Sequence, residues 1–537
     1  MRKYMFKRIL FSVFALLVVI MVVMLLVYTA INRNVIFQTD DVWNKKSNND
    51  RAYYEYNQYT KYGYLTFVDY TAFLQKKYKP IYGEEYSKSQ EFLTDKKAIT
   101  QAQSYEELVA NGNASVQEFI KKYKDDGYYI EFYPQIAFKT GKLKPGGTAY
   151  LLAIENKSVV SRLWDYIKGF ITFETKNMVK DPELKAEDRG IKLEKDPYSG
   201  LFAITGSGTQ HKYLLYFDTR FPFIHQNFMH INLGTSYTRY RGQEITTVIT
   251  RPTGKQIKSM QSFPIDIANG NMDNKIETAI DFHSLTYNNA IVSEVDKTQF
   301  PDKYTVYSYR TGGLSMLETS FVMGIIATIL AYLIGLPLGV INARFKDRLP
   351  DKLGNAYIIF IMAVPSLAYI FLFAAIGTRV FGLPYKFANA KTPVLGYILP
   401  IISLSLPSIG NLMKWMRRYM IDQMNSDYVK FARAEGMSEK EIYRIHISRN
   451  AMIYLVHGIP ASILGCFVGA IITERVYAVP GVGNLLTQAI NTHDNGIIIA
   501  CTVFYTTLSI VSIILGDLLL AKYDPRISLN ADKGGGR

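Results

Sequence analysis

The chain has 537 residues, of which 48% are hydrophobic and 20% are charged, and its formal net charge is +15. This length exceeds one ordinary domain, and the apolar content excludes a disordered chain. The two cysteines, Cys466 and Cys501, exclude a disulfide framework and a cysteine-based zinc module. The basic excess allows nucleic acid, acidic lipid or a membrane-orientation signal, and its position along the chain must decide among them.

Six apolar runs each have about the 20 residues that an α-helix needs to cross a bilayer. Soluble helices carry a polar face, so a set of such runs indicates a membrane protein. The first run follows the basic flank 1–8, and no small-residue cleavage site follows it, which favours an uncleaved anchor over a signal peptide. The predicted spans are 9–31, 317–341, 355–377, 394–412, 452–473 and 497–520.

Lys and Arg residues are distributed unevenly around these spans. Twenty lie in the N-terminal flank, in 342–354, in 413–451 and after the last span, whereas the short loops on the other side carry four. By the positive-inside rule, both termini, including the tail 528–537, are expected in the cytoplasm, and residues 32–315 outside the cell. The chain is thus predicted to be a multi-pass plasma-membrane protein, and its basic excess does not call for nucleic acid as a partner.

The outer segment 32–315 shows mixed patterns that predict an α+β domain. Because it has no cysteine, it is expected to fold without disulfides, which suits a Gram-positive surface. An amphipathic helix is predicted at Val159–Ile171; packing against the domain's own core is the preferred interpretation, and the membrane interface is the alternative. The other predicted elements are strands at Gly127–Phe132, Lys212–Phe217 and Glu244–Thr250, and helices at Ser104–Ala110 and Val116–Tyr123.

Motifs of the common catalytic sites are missing from the sequence. It contains no phosphate-binding P-loop, no H-E-x-x-H metal motif and no G-x-S-x-G nucleophile turn. We therefore expect neither an enzyme nor a chain that binds a metal or cofactor itself.

The segment 413–451 has the signals of a structured loop rather than a simple connector. Asp427 is predicted to cap a short helix, and Gly436 to end it in a left-handed conformation. Ser438 and Glu441 have the spacing of a capping box that begins a second helix. Val429, Ala432 and Arg433 are expected to share one face of the first helix, and Ile442 and Ile445 to form the apolar side of the second.

Small residues on this loop suggest a docking element. Ala432, Ala434 and Gly436 would let the backbone of another protein approach closely, which a loop that only contacts lipid does not need. The alternative interpretation is a solvated basic loop beside anionic lipid.

The loop resembles the EAA loop of ABC importer permeases, in the form D-Y-V-x-x-A-R-A-K-G-x-x…H-x-x-x-N-A of their oligopeptide/dipeptide branch. Glu435 replaces the usual Lys. Three other stretches resemble the same branch. Glu474–Gly483 is similar to its E-x-V-F-x-x-P-G-x-G outer loop, and Asn232–Tyr237 is similar to its G-D-L-G-x-S segment. Asp524–Arg526 is similar to its C-terminal end. The matching loop residues are Asp427, Tyr428, Val429, Ala432, Arg433, Ala434, Gly436, His446, Asn450 and Ala451, and those of the outer loop include Glu474, Pro480, Gly481 and Gly483.

The resemblance implies an α-helical membrane protein with the six-helix fold of type I ABC importer permeases and a large insertion between helices 1 and 2. The large insertion resembles that of the first permease subunit of Gram-positive Opp/Ami oligopeptide importers. The permease core would be residues 316–527, and the loop, including Glu439 and Ile442, would dock an ATPase.

The implied partners are a second homologous permease, two cytoplasmic ABC ATPases that hold ATP and Mg²⁺, and an extracellular peptide-binding lipoprotein that delivers the oligopeptide. Pro365, Pro407 and Pro460 lie in predicted spans and are candidate bends near the transport path, or simply tolerated kinks. The alternatives are a related permease for nickel, dipeptide or sugar, and an exporter-type permease with an extracytoplasmic domain.

Overall fold

The structure is a computed structural model of the chain. The predicted tail 528–537 and the Asp524–Arg526 motif lie outside the residues that it describes, as does part of the outer segment. The described residues are 2–30, 33–38, 40–139, 142–145, 147–178, 184–196, 200–209, 211–218, 223–240, 242–250, 256–257, 278–283, 305–310, 314–456 and 458–523.

Long apolar helices dominate the two ends of the described chain. By length and composition, five described helices can cross a membrane, and a bent pair of shorter helices makes a sixth span if the two are taken together. The pair consists of Leu349–Ala363 and Ser366–Phe381. The five single helices are Arg2–Ala30, Met316–Arg344, Pro393–Met424, Ile459–Tyr477 and Asn495–Tyr523.

The bent pair corrects the prediction of one continuous span at 355–377. Its two helices meet at 115°. Pro365 has no N–H group and disfavours the helical conformation of the residue before it, and Val364 is accordingly extended (φ −79°, ψ 130°). Pro365 therefore precedes a new helix and breaks the span instead of bending it.

The predicted span 452–473 is also divided. A helix Arg449–Val456 ends before Gly458, and Ile459–Tyr477 follows. Pro460 lies in the first turn of the second helix, where a missing N–H costs no helical hydrogen bond. Of the three prolines considered as bends, Pro407 alone lies inside a continuous helix.

The helix Pro393–Met424 is longer than the predicted span 394–412, so the loop that follows is shorter than predicted. Lys414 and its basic neighbours end the apolar run at the sequence level. The helix nevertheless continues, because Met413, Met416 and Met420 recur at helical spacing and are buried. The loop therefore occupies residues 425–448 and is called loop 425–448 below.

The inserted segment (residues 32–315) has a helical core packed on one face of a three-stranded antiparallel sheet. The central strand Tyr150–Asn156 pairs with Leu65–Asp69 on one side and Tyr129–Tyr133 on the other. Leu151 on this strand belongs to the helical core and Leu152 to a tyrosine-rich cluster, because successive strand residues point to opposite faces. The core helices are Tyr70–Tyr82, Gln90–Gln101, Tyr105–Asn111 and Ala114–Asp125.

Further strands of the inserted segment form a second antiparallel sheet and smaller pairings. The second sheet has the order Phe223–Gln226, Tyr213–Asp218, Phe202–Ser207 and Gly190–Lys195. Smaller sheets pair Ile171–Phe173 with Met229–Ile231, Ile136–Lys139 with Lys142–Pro145, and Thr305–Arg310 with both Gln256–Ile257 and Thr278–His283.

The remaining described helices are short. The α-helices are Asp41–Lys45, Asn48–Lys61, Val159–Phe170, Ile245–Thr250, Asp427–Ala434, Glu439–Glu441 and Val482–Asn491, and the 3₁₀-helices are Arg33–Phe37, Gly83–Lys88, Ala186–Asp188 and Phe387–Asn389.

Local predictions in the inserted segment were confirmed at four of five elements. Helices Tyr105–Asn111 and Ala114–Asp125 and strands Tyr129–Tyr133 and Tyr213–Asp218 lie where they were expected. The strand predicted at Glu244–Thr250 is wrong, because Ile245–Thr250 is helical. Ile245, Val248 and Ile249 are buried together at helical spacing, so packing overrides the β-branched composition of this stretch.

The helix Val159–Phe170, called the amphipathic helix below, connects the inserted segment to the spans. Its residues Leu163, Tyr166 and Phe170 pack on a core that contains Val27 of the first span and Ile497 of the last span. The same core includes Leu233, Ile245 and Val248 of the inserted segment. The preferred interpretation, packing against the domain core, is therefore confirmed for this side of the helix, and that core is shared with the spans.

Candidate functional site

Loop 425–448 begins with the helix Asp427–Ala434. The residue at the N-cap is Ser426, whose side chain makes no capping hydrogen bond, so the predicted cap at Asp427 is wrong. Asp427 lies in the first helical turn, where a negative charge is favourable, and its carboxylate binds Lys430 at 2.8 Å. Lys430 lowers the pKa of the Asp427 carboxyl by this hydrogen bond and by its charge.

One face of this helix is attached to the long helix before it, and the other is open. Val429 and Ala432 are buried in the same cluster as Met416 and Met420. Phe431 is 65% exposed, and Ala434 is exposed as well. Ala432, which was predicted to receive a partner's backbone, instead packs within the chain. The open face available to another molecule is therefore smaller than the one predicted.

Gly436 closes the helix as predicted. Its φ of +81° is left-handed, the conformation in which glycine has no side-chain penalty. The Gly436 N–H donates to Arg433 O at 3.1 Å and the Met437 N–H donates to Ala432 O at 3.2 Å, which together form a Schellman motif. Met437 packs on the same cluster as Ala432. A Cβ at Gly436 would meet no atom of the chain within 4 Å, so this turn projects into open space.

The second half of the loop starts with the predicted capping box. Ser438 and Glu441 exchange both of its hydrogen bonds. Residues Ile442–Ser448 then form a π-helix, in which hydrogen bonds join residues five apart and widen the turn. Ile442 and Ile447 are consequently the buried pair. Ile445, predicted on the apolar side from ordinary helical spacing, is 40% exposed.

An ion pair connects the two halves of the loop. Arg433 Nε donates to Glu439 Oε1 at 2.7 Å, across the Gly436 turn. Arg433 thus points to the second half of the loop and is exposed, whereas Val429 and Ala432, with which it was predicted to share a face, are buried. The pair lowers the pKa of Glu439 and raises that of Arg433 through their hydrogen bond.

The remaining predicted docking residues lie at the base of the loop. The Tyr428 hydroxyl donates to the Gln423 amide oxygen and, at 3.4 Å, to the backbone oxygen of His446. The rings of Tyr428 and His446 lie 6.2 Å apart. Asn450 is partly buried in the next helix, Arg449–Val456. Tyr428 and His446 therefore hold the base of the loop together.

The predicted outer-loop motif forms a buried corner between the helices Ile459–Tyr477 and Val482–Asn491. Glu474 is fully buried and accepts hydrogen bonds from Ser320 Oγ at 2.6 Å and from the Asn484 N–H at 2.9 Å. Ser320 Oγ also accepts from the Val482 N–H at 3.0 Å. The carboxylate thus joins the corner to the helix Met316–Arg344.

Close packing explains the two glycines of this corner. A Cβ on Gly481 would lie 2.3 Å from the Glu474 carboxylate, and one on Gly483 would lie 2.5 Å from the Ile471 Cα. Pro480 is exposed and sits between these buried groups. The motif residues Glu474, Gly481 and Gly483 are therefore brought together as one packed unit.

Comparison with known proteins agrees with this architecture. Residues 335–529 match the family model of the binding-protein-dependent transport system inner membrane component. The chain is also 33% identical to the oligopeptide transport system permease protein AmiC of Streptococcus pneumoniae, with 100% of both chains covered. The chain belongs to this permease family. Its fold is the type I ABC importer permease fold with a large insertion.

Other family members match the permease over a smaller share of its length. The dipeptide transport system permease protein DppB of Lactococcus lactis is 31% identical over 220 residues, which cover 40% of this chain and 70% of DppB. A solved structure of the MetNI methionine ABC transporter is similar over 38% of this chain and 93% of the transporter chain. The sequence identity is 15% and the TM-score is 0.32. The full-length match to AmiC therefore includes the insertion, which the DppB match does not span.

Asp494 of the permease is a buried carboxylate that no sequence motif indicated. It is fully buried immediately before the last span and accepts from the Ile497 N–H at 3.2 Å, as a helix cap does. It also accepts from the N–H groups of Tyr237, Thr238 and Arg239 at 2.9–3.0 Å and from Ser236 Oγ at 2.7 Å. The Asn232–Tyr237 motif was a signal for one side of this contact, but no pattern joined it to a residue 258 positions away.

A second missed pair anchors the helix that carries loop 425–448. Arg417 donates to both oxygens of Asp351, at 2.6 Å from Nε and 2.7 Å from Nη2. Asp351 also accepts from the Asp347 N–H at 2.9 Å. Such a two-point contact fixes orientation as well as distance, so it ties Pro393–Met424 to Leu349–Ala363. From the sequence, Arg417 was recognised only as one of the positive charges that indicate the orientation of the spans.

Proposed function

We propose that this chain is the pore-forming permease subunit of an ATP-driven oligopeptide importer. The observation that carries the proposal is its 33% identity to an oligopeptide permease over the full length of both chains, the insertion included. The shorter match to a dipeptide permease makes dipeptide import the second candidate. Uptake of labelled peptides of two to six residues distinguishes the two, because a dipeptide importer would take up the shortest and discriminate against the rest.

The partners in this proposal are a second homologous permease, two cytoplasmic ABC ATPases and an extracellular peptide-binding lipoprotein. Loop 425–448 would dock one ATPase through its exposed side, which includes Phe431, Ala434 and Gly436. A rigid loop with one open face suits such a contact, because little order has to be gained on binding. ATP and Mg²⁺ would be held by the ATPases, since the chain carries no phosphate-binding motif of its own.

The contacts of loop 425–448 suggest how movement of an ATPase would reach the spans. Val429 and Ala432 pack on the extension of Pro393–Met424, and Arg417 ties that helix to Asp351. A displacement of the docked loop would therefore be passed to two helices together. Rocking of packed helices as rigid bodies is how alternating access exposes a central path to each side in turn.

We further propose that both termini and loop 425–448 face the cytoplasm, while the inserted segment lies outside and receives the binding lipoprotein at the mouth of the pore. The distribution of Lys and Arg supports this topology. Protease added to intact protoplasts should cut within the inserted segment and leave loop 425–448 uncut. Cutting of the loop before the membrane is permeabilised would contradict the topology.

Two substitutions of Gly436 test the docking role. Any side chain at its φ of +81° costs about 1–2 kcal/mol, and this cost is shared by Gly436→Ala and Gly436→Glu. Neither side chain meets a chain atom at its Cβ, so they differ mainly in what they present to a partner. We expect Gly436→Glu to reduce peptide uptake at least about tenfold by loss of ATPase binding or of coupling, because a desolvated, unpaired carboxylate is unfavourable at an interface.

The control is Gly436→Ala, which should retain most of the uptake. Co-purification of the ATPases and peptide-stimulated ATP hydrolysis should be measured on the same membranes, so that failed assembly and failed coupling are separated. Equal uptake by the two variants at equal expression would show that the Gly436 turn does not contact an ATPase.

A further inference from the structure

One side of the amphipathic helix Val159–Phe170 is fixed beside the ends of two spans. Leu163, Tyr166 and Phe170 pack on the core that contains Val27 and Ile497. Both of these span residues lie close to a helix end, Val27 in Arg2–Ala30 and Ile497 in Asn495–Tyr523. The helix therefore lies at the level where these spans leave the hydrocarbon.

A buried arginine strengthens this attachment. The guanidinium of Arg162 lies over the ring of Tyr28 at 3.2 Å and over the ring of Tyr64 at 3.8 Å. Tyr28 belongs to the final turns of the first span, and Tyr64 belongs to the inserted segment. Cation–π contact with both rings ties the helix to the first span.

Beside this packed side, the amphipathic helix carries an exposed apolar stripe. Val160 is 76% exposed and Trp164 is 59% exposed, and Ile167 continues the same stripe at helical spacing. Lys168 borders the stripe with its Nζ 5.9 Å from the Trp164 ring. The combination of aliphatic residues, a tryptophan and a bordering lysine matches the hydrocarbon–headgroup boundary, where the indole and the ammonium reach polar groups.

The apolar surface continues into the strand that follows the helix. Ile171 pairs with Ile231 and Phe173 pairs with Met229, so these four side chains share one face of the strand pair. Ile171, Phe173 and Ile231 are each at least 40% exposed. Thr172, which points to the other face, is buried. The apolar face of this two-stranded sheet is thus exposed.

We propose that this surface, formed by the amphipathic helix and the strand pair, lies in the headgroup region of the adjacent leaflet and that bilayer lipid covers it. The surface adjoins the first span, of whose apolar stretch only 11% is buried inside the chain, so the lipid that surrounds this span reaches the surface without interruption. The contact would hold the inserted segment at a constant height above the pore. This contact with lipid does not depend on which substrate the permease carries.

The emission of Trp164 tests the proposal in the full-length chain, purified with its co-purifying subunits and reconstituted into lipid nanodiscs. The chain has three tryptophans, and the Trp164 contribution is the difference between the wild type and Trp164→Phe. The nanodiscs contain phosphatidylcholine with bromine atoms near the top of the acyl chains. We expect bromolipid to reduce the Trp164 contribution at least about twofold, as for an interfacial indole.

A second tryptophan supplies the matched control. Ile81→Trp, in the Trp164→Phe background, places an indole at a site that is 65% exposed, on a helix whose core contains no span residue. This indole should be quenched by acrylamide in water and not by bromolipid. If Trp164 is also quenched by acrylamide and not by bromolipid, the surface faces water and the proposal is overturned. Trp164 emission that neither quencher reduces would mean that protein covers the surface, which overturns the proposal as well.

Discussion

Asp494 offers the sharpest test of how the inserted segment is joined to the spans. Asp494→Ala removes the acceptor for three consecutive backbone N–H groups, those of Tyr237, Thr238 and Arg239, and for Ser236 Oγ. Both Asp494 and Ser236 are fully buried, so water does not replace the carboxylate without local opening. The substitution also removes the hydrogen bond that caps the last span at Ile497.

The magnitude follows from these contacts. Hydrogen bonds to a charged group contribute about 1.5–3 kcal/mol each, but six donors share two oxygens, so a simple sum would overcount them. Removing one partner of a buried charged contact costs about 3–5 kcal/mol, and we expect Asp494→Ala to fall in this range. Asp494→Asn should lower the stability less than Asp494→Ala, because the amide keeps one accepting oxygen. Some loss remains, since its NH₂ group cannot accept from the backbone donors that it faces.

Hydrogen–deuterium exchange measures this loss locally, which matters because a chain with several cores does not unfold in one step. The amides of residues 237–239 should exchange at least about a hundredfold faster in Asp494→Ala than in the wild type, since each 1.4 kcal/mol corresponds to a factor of ten. The control is Asp188→Ala, at an exposed position in the same segment, where we expect the stability to change by about 0.5 kcal/mol or less. Unchanged exchange at 237–239 in Asp494→Ala would refute the reasoning.

Two further predictions concern stability. Gly483→Ala should lower the thermal midpoint of the full chain by overpacking worth about 1–3 kcal/mol, because its Cβ would lie 2.5 Å from the Ile471 Cα. Gly465→Ala, whose Cβ meets nothing within 4 Å inside a helix, should leave the midpoint unchanged or raise it slightly. Equal midpoints for the two variants would argue against the packed corner. His230 Nε2 donates to the Glu244 carboxylate at 2.6 Å, and this hydrogen bond raises the pKa of His230 in the folded state. The stabilisation from this pair is therefore present below the unfolded pKa of about 6.5 and is lost as the pH rises through the folded pKa. His230→Gln should therefore lower the midpoint at pH 5.5 and leave it unchanged at pH 8.5, and a loss confined to pH 8.5 would reverse the assigned sign.

Local signals in the sequence predicted the elements whose geometry depends on neighbouring residues. The Gly436 turn and the Ser438–Glu441 capping box are closed by contacts within a few positions, so their residue types were sufficient. The same holds for the long apolar helices, because the length of an uncharged run is itself the physical requirement for crossing a bilayer. Charge, in contrast, was a poor marker of where a helix ends: Lys414 stopped the apolar run, yet the helix continues for ten further residues to Met424.

The tertiary structure decided what the local pattern left open. Ile245–Thr250 is a helix although β-branched residues dominate it, because burial of three side chains against the span ends outweighs propensity. Because the turn of the π-helix is wide, Ile447 is buried and Ile445 is exposed. The partners of the buried carboxylates could not be predicted from the sequence. Asp494 contacts Ser236, and Asp351 contacts Arg417, only in the folded chain.

Residue patterns predicted a membrane protein with several spans, a large insertion and a loop that contains the Gly436 turn and a capping box. Those features follow from run lengths, glycine conformation and motif spacing, which act over short distances along the chain. The tertiary structure alone decided how the insertion is held, through Asp494 and the amphipathic helix, and which side of loop 425–448 stays open. Burial and hydrogen bonding between residues hundreds of positions apart depend on packing in three dimensions, and no local pattern encodes that packing.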